Sequence, residues 1–504
     1  MKVQLISPLP DDGFAFNAGS YWPLGLLTIA TVLRRFGDHV DVEILDESLI
    51  GKAELERCMG ADVVGIQASS SLTYRRVLQV ASLAKERFGA YVVIGGPYAT
   101  TMARQILQCR TFVDAVVEGA GEAAMLQIVK SLGGGRGEPE VVAAPGLWLR
   151  VNGVVTPPRM LGNLNYDEIL PLDYSLIPVA AYHVNYCERL APGSYQGAFQ
   201  IFTHFGCKYR DARRAAGQSW CLYCALGDQL VVRDPHSIRR EIEDTLLSCG
   251  MSRHGAKIML KCYGDNASAL GPHLERLAEA IRQSSMLREF NLRWSVYAQS
   301  CYITERLVDV FWRLGVAEVY VGFDSVDDAV QRLNGLGTTK NTHLRAARLL
   351  QEAGVRLQAG FVLGCEGETP ETLDATIQFC HQIAALDNVD LFHASPLVVL
   401  AGSEAFNRLA HLMPEIVATD YIEPQVLQRE WLARFCPGLG PDGQGLIRDA
   451  AQTIATLGEI RSGWGQSDKS EASKVSTHVH DLLPVREMSR PRASPVAERL
   501  RQPT

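Results

Sequence analysis

The feature that most constrains this chain is an alternation of strand and helix patterns that occurs twice along it. In residues 1–150, apolar runs such as Asp62–Ser69 and Tyr91–Pro97 alternate with helical stretches such as Leu24–Phe36. Several runs are continuously apolar, which is typical of strands buried on both faces of a sheet. The alternation predicts a doubly wound, Rossmann-like parallel sheet. Asn152-Gly153, between two short apolar runs, then predicts a hairpin.

Residues 198–400 repeat the alternation with six strand–helix units, so the fold class is α/β throughout. Six units favour a partial (β/α)6, TIM-like barrel over the full eight-fold form. The predicted barrel strands are Phe199–Thr203, Lys257–Cys262, Leu292–Ala298, Glu318–Phe323, Arg356–Leu363 and Asp390–Leu400.

The other segments are assigned by their composition. Residues 151–197 are predicted to be an interdomain linker, partly ordered by packing of Tyr166, Leu170 and Tyr174. Residues 401–465 are predicted to be a small helical C-terminal segment. Residues 466–504 are rich in Ser, Lys, Arg and Pro, which is typical of a disordered tail.

Composition excludes some classes of protein. The chain has 504 residues and a net charge of -7, which argues against a nucleic-acid-binding surface. No apolar stretch approaches the roughly 20 residues of a membrane span, and no signal peptide is visible. We therefore expect a cytoplasmic protein with no nucleic-acid or membrane partner. In that compartment thiols stay reduced, so clustered cysteines indicate metal binding or catalysis.

One cysteine cluster follows the first strand of the second series. Cys207 comes directly after His204-Phe205-Gly206, and two residues separate Cys221 from Cys224. Two thiolates at this spacing bind one metal centre from a single turn, and a third completes a set of three. Four thiolates saturate an iron–sulfur cluster or a structural zinc, whereas three leave one position open.

This cluster resembles the cluster loop of the radical S-adenosylmethionine (SAM) enzymes. The resemblance implies that Cys207, Cys221 and Cys224 hold a 4Fe-4S cluster whose unique iron is chelated by SAM. Reduction then cleaves SAM to a 5′-deoxyadenosyl radical. The aromatic residue before the last cysteine, Tyr223, is implied to pack near the adenine.

The loop departs from the family pattern in length. Thirteen residues separate Cys207 from Cys221, where most members have three, and the insert includes Lys208, Arg210, Arg213 and Arg214. We interpret it as a solvated surface loop, with a cover over the cluster mouth or a contact to an anionic substrate as alternatives. Cys187 is an alternative third ligand, and zinc is an alternative metal.

Further strand ends resemble the SAM-binding positions of the family. Gly264, Asp265 and Asn266 end the second barrel strand and Gln299 ends the third. Gly322-Phe323-Asp324-Ser325 resembles the fourth-strand motif, with Asp324 in place of the usual glutamate. Gly364 begins the Gly-rich turn after the fifth strand, where small residues let the backbone approach adenine. The simpler interpretation of each residue is turn formation.

The N-terminal sheet resembles the cobalamin-binding domain that precedes many radical SAM barrels. Hydroxyls and glycines stand at its predicted strand ends, where a doubly wound sheet binds ligands. The cobalamin-binding candidates are Ser69, Ser70, Leu72, Thr73, Gly95, Gly96, Glu118 and Gly119. For these residues, turn formation and helix capping are the alternative.

The resemblance also implies how cobalamin would be held. The Asp-x-His-x-x-Gly motif is absent, and His39 is the only histidine in residues 1–150, which implies a base-off form without histidine ligation. The lower face would then meet Leu72, Thr73 or Tyr74.

The two resemblances together imply a cobalamin-dependent radical SAM methyltransferase. Its substrate would be an unactivated carbon or phosphorus centre of a small molecule or peptide, and a flavodoxin- or ferredoxin-like protein would donate electrons. A non-methylating rearrangement or oxidation is one alternative. A non-catalytic corrinoid- or zinc-binding protein is another.

Overall fold

A computed structural model describes residues 1–9, 19–133, 144–151, 153–158, 160, 166–189, 194–225, 230–251 and 255–462. Asn152 and the predicted tail 466–504 lie outside the described residues. The strands are β1 Lys2–Ser7, β2 Asp41–Asp46, β3 Val63–Gln67, β4 Tyr91–Gly95, β5 Ala115–Val117, β6 Leu147–Val151, β7 Val154–Thr156, β8 Gly197–Ile201, β9 His204–Phe205, β10 Val231–Val232, β11 Lys257–Cys262, β12 Asn291–Gln299, β13 Val316–Gly322, β14 Arg356–Leu363 and β15 Val389–Pro396.

Eighteen α-helices connect and cover these strands in the described part of the chain. They are α1 Leu24–Phe36, α2 Glu47–Ile50, α3 Lys52–Cys58, α4 Ser71–Phe88, α5 Pro97–Cys109, α6 Glu122–Gly133, α7 Tyr166–Ile169, α8 Val179–Arg189, α9 Lys208–Ala215, α10 Pro235–Ser248, α11 Gly271–Gln283, α12 Glu305–Leu314, α13 Asp328–Leu333, α14 Lys340–Glu352, α15 Pro370–Ala384, α16 Glu404–Leu412, α17 Pro424–Phe435 and α18 Gly443–Ser462. None of the described helices is long and apolar enough to span a bilayer.

The N-terminal sheet has seven strands in the order β2-β1-β3-β4-β5-β6-β7. The first five are parallel, and the hairpin of β6 and β7 continues the sheet in antiparallel pairing. The order reverses between β1 and β3, and doubly wound sheets bind ligands outside the carboxyl ends of their strands at such a point. The predicted parallel sheet and the hairpin are both present.

The second sheet is an open barrel of six parallel strands in the order β15-β14-β13-β12-β11-β8. Each predicted barrel strand matches an observed one, although β15 ends at Pro396 rather than at Leu400. Helix α18 lies directly against β15, and Gly458 permits the contact because an added Cβ would lie 3.1 Å from the amide nitrogen of Phe392. The open edge of the barrel is thereby covered.

Trp22 links the N-terminal sheet to the barrel. It is buried and packs edge-on against Tyr174, Tyr182 and Phe199, which lie in the linker and on β8. Its backbone oxygen accepts a hydrogen bond of 3.1 Å from Nε2 of Gln200. The sheet and the barrel therefore share one apolar core, and the buried rings of Tyr166 and Tyr174 confirm the expected packing of the linker.

The C-terminal segment is held to the N-terminal sheet by the buried side chain of Asp420. Its carboxylate accepts hydrogen bonds from Tyr74 at 2.7 Å and from two nitrogens of Arg110 at 2.7 and 2.9 Å. Its backbone oxygen accepts a bond of 2.6 Å from Tyr98. Because Tyr74, Tyr98 and Arg110 belong to α4, to α5 and to the turn after α5, the carboxylate and the backbone oxygen of this one residue fix three points of the N-terminal part.

Candidate active site

The three predicted cluster cysteines lie at the carboxyl end of the barrel. Cys207 immediately precedes α9, and the Cys221–Cys224 turn is closed by a bond of 3.0 Å from the Cys224 amide to the Cys221 carbonyl. All three thiols are half-buried. Burial raises the pKa of the Cys221 thiol, and the nearby Cys224, Asp324 and Cys207 raise it further. The fold therefore directs the three thiols towards a common region.

The Cys221–Cys224 turn is fixed by backbone hydrogen bonds on both sides. The amide of Leu222 donates to the carbonyl of Asn334 at 3.1 Å, and the amide of Ala405 donates to the carbonyl of Leu222 at 3.0 Å. The side chain of Asn334 bonds both the amide and the carbonyl of Glu366, at 2.9 and 3.0 Å. Asn334 thus connects the cysteine turn to the turn after β14, a role that the sequence did not reveal.

The long insert is not simply a solvated loop, and that interpretation is wrong for residues 208–215. These residues form α9, in which Tyr209 and Arg210 are buried. The hydroxyl of Tyr209 donates to the carbonyl of Gly335 at 2.6 Å, and Arg210 pairs with Asp211 at 2.8 Å. This packing holds the helix beside the cluster cysteines, while Lys208 and Arg214 are exposed. The side chain of Cys187 lies outside the described residues.

Cys207, Cys221 and Cys224 form a sulfur donor set for a metal centre. Within the described ranges, no three side chains of His, Cys, Asp or Glu stand in the arrangement that encloses a single metal ion. A tetrahedral zinc with Zn–S bonds of about 2.3 Å would hold its thiolates roughly 4 Å apart. A four-iron cluster binds each thiolate on a separate iron and needs a wider set. The three half-buried thiols of Cys207, Cys221 and Cys224 supply the kind of thiolate set that a four-iron cluster takes.

Two predicted SAM contacts are joined by side-chain hydrogen bonds. Asn266 donates from Nδ2 to Oε1 of Gln299 at 3.4 Å, and Gln299 donates to the carbonyl of Leu336 at 2.8 Å. Ser268 donates to Oδ1 of Asn266 at 2.6 Å and accepts from the Gln299 amide at 3.0 Å. The ends of β11 and β12 thus form one polar unit, whereas the side chain of Asp265 is exposed.

Gly264 is placed against the imidazole of His204. A Cβ at this position would lie 2.1 Å from Cε1 of His204, and burial lowers the pKa of that histidine to about 4. Nε2 of His204 accepts from the Asn266 amide at 3.4 Å. The glycine therefore permits a ring contact that positions Asn266.

We expect Gly264→Ala to lower stability by about 1–3 kcal/mol, because a ring packed between strands must move to admit the methyl group. Thermal unfolding of the purified variant measures the effect. Gly271→Ala is the matched control, since its Cβ would meet Leu307 at an ordinary 3.5 Å. Equal melting temperatures for the two variants would contradict the contact.

Asp324 and Tyr223 meet beside the cysteine turn. Asp324 follows β13 with a positive φ of 62°, and its amide donates to the carbonyl of Gly360 at 3.1 Å. The Tyr223 hydroxyl lies near the Asp324 carboxylate. Burial raises the pKa of Asp324 to about 6, and Tyr223 lowers it in part. The fourth-strand carboxyl and the aromatic residue of the cysteine turn therefore lie in one polar contact.

Gly364 lies in a turn that two residues from other parts of the chain hold in place. Its φ is 92°, its amide donates to the carboxylate of Glu368, and its carbonyl accepts from Nε1 of Trp431 at 3.0 Å. Burial raises the pKa of Glu368 to about 7, while the amides of Gly364 and Cys365 lower it in part. The roles of Glu368 and Trp431 were not predicted.

Glu368 is expected to make stability depend on pH. Its pKa in the folded protein, about 7, exceeds the ordinary value of 4.5, so its contribution is complete below pH 4.5 and is lost as the pH rises to 7. The loss amounts to about 3 kcal/mol. Glu368→Gln should therefore flatten the melting temperature between these pH values and raise it at pH 8. Glu371 is an exposed acid in the first turn of α15, the helix that follows Glu368, and Glu371→Gln should keep the wild-type profile.

The cobalamin-binding candidates gather at the carboxyl edge of the N-terminal sheet. Gly96 has a φ of 101°, and an added Cβ would lie 2.8 Å from the carbonyl of Ala68, so the loops after β3 and β4 touch there. The Gly119 amide donates to Thr100 at 3.0 Å. Gly95 ends β4, and Ser69 is exposed after β3. The loops after β3, β4 and β5 therefore converge.

Several of these candidates have structural partners. Ser70 and Thr73 form a capping box at the start of α4, with Ser70 accepting from the Leu72 amide at 3.2 Å. Glu118 accepts from Nε1 of Trp148 at 2.7 Å. Tyr74 is fully buried and bonded to Asp420, so the suggestion that it meets a corrinoid is wrong.

Buried polar atoms at the same edge remain without partners among the described residues. They are Oε1 of Gln67, Oγ of Ser71, Oε2 of Glu122, Oγ of Ser20 and Nε1 of Trp22. Buried polar groups are normally hydrogen-bonded, so this concentration fits a large polar ligand at the edge. His39 lies shortly before β2 begins, at the amino edge of the sheet and away from these atoms.

Models of known protein families match both the N-terminal sheet and the barrel. The family model for the B12 binding domain matches residues 17–129, and that for the radical SAM superfamily matches residues 205–380. The chain therefore carries a B12-binding domain followed by a radical SAM domain. This confirms the resemblance and the cofactors expected from the sequence, namely a 4Fe-4S cluster, SAM and cobalamin.

Three known proteins are similar to most of this chain. Uncharacterized methyltransferase PH0819 of Pyrococcus horikoshii is 27% identical over 390 residues, covering 76% of this chain and 78% of that protein. The anaerobic magnesium-protoporphyrin IX monomethyl ester cyclase of Rubrivivax gelatinosus is 25% identical, covering 75% and 65%. The methyltransferase TsrM of Kitasatospora setae, solved with cobalamin and a [4Fe-4S] cluster, aligns with a TM-score of 0.60 at 18% identity, covering 81% and 75%. The last likeness confirms the fold.

Proposed function

We propose that this protein is a cobalamin-dependent radical SAM methyltransferase that acts on an unactivated carbon or phosphorus of a small molecule or peptide. One observation carries the proposal. The ligand-binding edge of a B12-binding sheet and the cysteine-bearing end of a radical SAM barrel are parts of one continuous core. A methyltransferase name among the relatives supports the same reaction class.

The cofactors supply the chemistry: when bound, the reduced cluster and SAM furnish a 5′-deoxyadenosyl radical, and cobalamin furnishes a methyl group. The chain positions them. Cys207, Cys221 and Cys224 would bind the cluster. Tyr223 and Asp324 would present a hydroxyl and a carboxyl beside it, and the Asp324 carboxyl holds its proton up to about pH 6.

The remaining predicted contacts have orienting roles in this proposal. The Asn266–Gln299 unit would offer amide groups to SAM at the ends of β11 and β12. Gly95, Gly96 and Gly119 would let the corrinoid approach the backbone, and the unpartnered Ser71 and Gln67 would bond its polar groups. A flavodoxin- or ferredoxin-like protein would supply the electron.

Isotope transfer tests the reaction class. Anaerobically reconstituted protein with bound cobalamin is incubated with a small-molecule extract, a reductant and SAM labelled with carbon-13 in its methyl group. The expected result is one new compound that carries the labelled methyl group, formed together with 5′-deoxyadenosine. Release of 5′-deoxyadenosine with a product that has lost hydrogen and gained no methyl group would contradict methyl transfer.

That contrary result would favour a second candidate, a non-methylating radical oxidation or cyclisation. The similarity to a protein named as a cyclase supports it. A non-catalytic corrinoid- or zinc-binding protein would instead give neither product. Metal analysis identifies that case, since stoichiometric zinc without iron and sulfide would exclude the enzyme.

A further inference from the structure

One layer of side chains on the inner face of the barrel is unusually polar. Parallel pairing places Gln200, Lys261 and Ser295 side by side on β8, β11 and β12, and Glu318 follows on β13. Paired residues on parallel strands point to the same face of the sheet. Four adjacent strands therefore contribute a polar or charged side chain at the same level.

This layer faces the barrel interior and not the helices. The residues one position along the same strands, Leu260, Trp294 and Val319, are buried in the apolar core that the surrounding helices complete. Successive side chains on a strand point to opposite faces, so the Lys261 layer points inwards. The layer two positions nearer the cluster contains Tyr297 and Tyr320, which are paired with each other.

Lys261 is a buried cation without a carboxylate at ion-pair distance among the described residues. It is 6% exposed, its Nζ donates to the hydroxyl of Ser295 at 2.9 Å, and it lies 4.5 Å from the ring centre of Tyr297. Glu318, on the same level, is paired with Arg356 at 3.0 Å. Burial lowers the pKa of Lys261, and Glu318 raises it in part. Buried charges in proteins are normally paired, so this one indicates a function.

Gln200 gives independent evidence at the neighbouring position. It is 1% exposed, and its Nε2 donates to the Trp22 carbonyl at 3.1 Å, which fixes the orientation of the amide. Its Oε1 is buried and has no hydrogen-bond partner among the residues that the structure describes. Oε1 of Gln200 therefore offers a buried hydrogen-bond acceptor beside Lys261.

The layer above is shaped by a glycine. The Tyr320 hydroxyl lies so close to β14 that a Cβ on Gly360 would be 2.1 Å from it. Tyr297 and Tyr320 meet edge-on with ring centres 5.4 Å apart, and Tyr320 lies near Asp324 at the cluster end. Aromatic walls thus extend from the Lys261 layer towards the region of Asp324.

We infer that Lys261 and Gln200 anchor the substrate inside the barrel, with Lys261 binding an anionic oxygen group and Oε1 of Gln200 accepting from an N–H or O–H beside it. The substrate class is an aromatic or other planar compound that carries a carboxylate or a phosphate. The inference rests on the proposed function only in that the barrel interior receives the substrate.

Equilibrium binding to the full-length, anaerobically reconstituted protein tests this. The probes are benzoate and phenyl phosphate, with benzamide as the uncharged analogue, titrated by calorimetry without SAM turnover. We expect at least one anion to bind about tenfold more tightly than benzamide, and Lys261→Met to remove that preference. Lys257→Met is the matched control, because Lys257 lies on the same strand over the ring of Tyr195 at 4.8 Å, and it should change affinity less than about twofold. Whichever of benzoate and phenyl phosphate binds more tightly shows whether the anchored group is a carboxylate or a phosphate.

Thermal unfolding separates anchoring from a structural role. Lys261→Met should raise the melting temperature, because it removes a buried unpaired charge, and Lys261→Arg should retain anion binding. Unchanged anion affinity in Lys261→Met, a lowered melting temperature in that variant, or no binding of either anion by the wild type would each overturn the inference. Because no turnover is measured, failure of methyl transfer leaves these outcomes unaffected.

Discussion

Replacing Cys221 and Cys224 together by alanine is expected to abolish both the iron–sulfur absorbance and the cleavage of SAM. A site-differentiated cluster needs three thiolates, and one remaining ligand, Cys207, cannot retain four irons. The loss of SAM cleavage should exceed about a thousandfold, because the electron would reach SAM through the cluster. Visible absorbance, iron content and 5′-deoxyadenosine formation in anaerobically reconstituted protein measure the effect.

Cys109→Ala is the matched control, because this cysteine is exposed on the N-terminal part, outside the cysteine turn. It should retain wild-type iron content and activity. The proposal would be contradicted by a double variant that keeps a reducible iron–sulfur signal in electron paramagnetic resonance. The variant should still fold, since the turn is held by backbone bonds that alanine preserves.

Asp420→Ala is expected to give the largest loss of stability, about 3 kcal/mol. The change removes the partner of a guanidinium and leaves Tyr74, which is fully buried, without its acceptor. Breaking a buried ion pair by removing one partner costs about 3–5 kcal/mol. The lower end of that range applies, because the Arg110 side chain is 32% exposed and regains water. Urea unfolding measures the loss, and limited proteolysis should cut the C-terminal segment faster.

Glu423→Gln is the control for Asp420→Ala, because Glu423 lies three residues further along the same segment. Glu423 pairs with Arg75 on the same helix as Tyr74, but both side chains are about half exposed. Exposed pairs contribute about 0–1 kcal/mol, so this variant should unfold close to the wild type. Similar losses in the two variants would show that the segment is held by its general contacts and not by Asp420.

The sequence was sufficient to predict the fold where periodicity was strong. All six barrel strands and both sheets follow from apolar runs separated by helical stretches. Helix α5 was not among the helices named from the sequence; Pro97 and a threonine pair in it resemble turn residues, and the helix bends at Met102. Helix α9 was missed because its sequence is mostly basic and is stabilised by a tertiary contact, Tyr209 to Gly335.

The candidate site was predictable where residues follow motifs. The cysteines and the strand-end residues Asn266, Gln299 and Asp324 were proposed as site residues in this way. Lys261 and Gln200 were not, because strands buried on both faces show no alternation that would assign a polar residue to the inner face. Their shared position on the inner face can be recognised only when the register of the neighbouring strands is known. Asn334 and Glu368 act through backbone groups, which no motif records.

The fixed Cys221–Cys224 turn has a consequence for maturation. Its carbonyl and amide bonds to Asn334 and Ala405 involve no sulfur atom, so the polypeptide presents its thiols in place before any iron arrives. In small zinc modules the ion drives the chain to fold. Here backbone hydrogen bonds hold the turn, so removal of iron is expected to leave the turn folded, which circular dichroism of chelator-treated protein would measure.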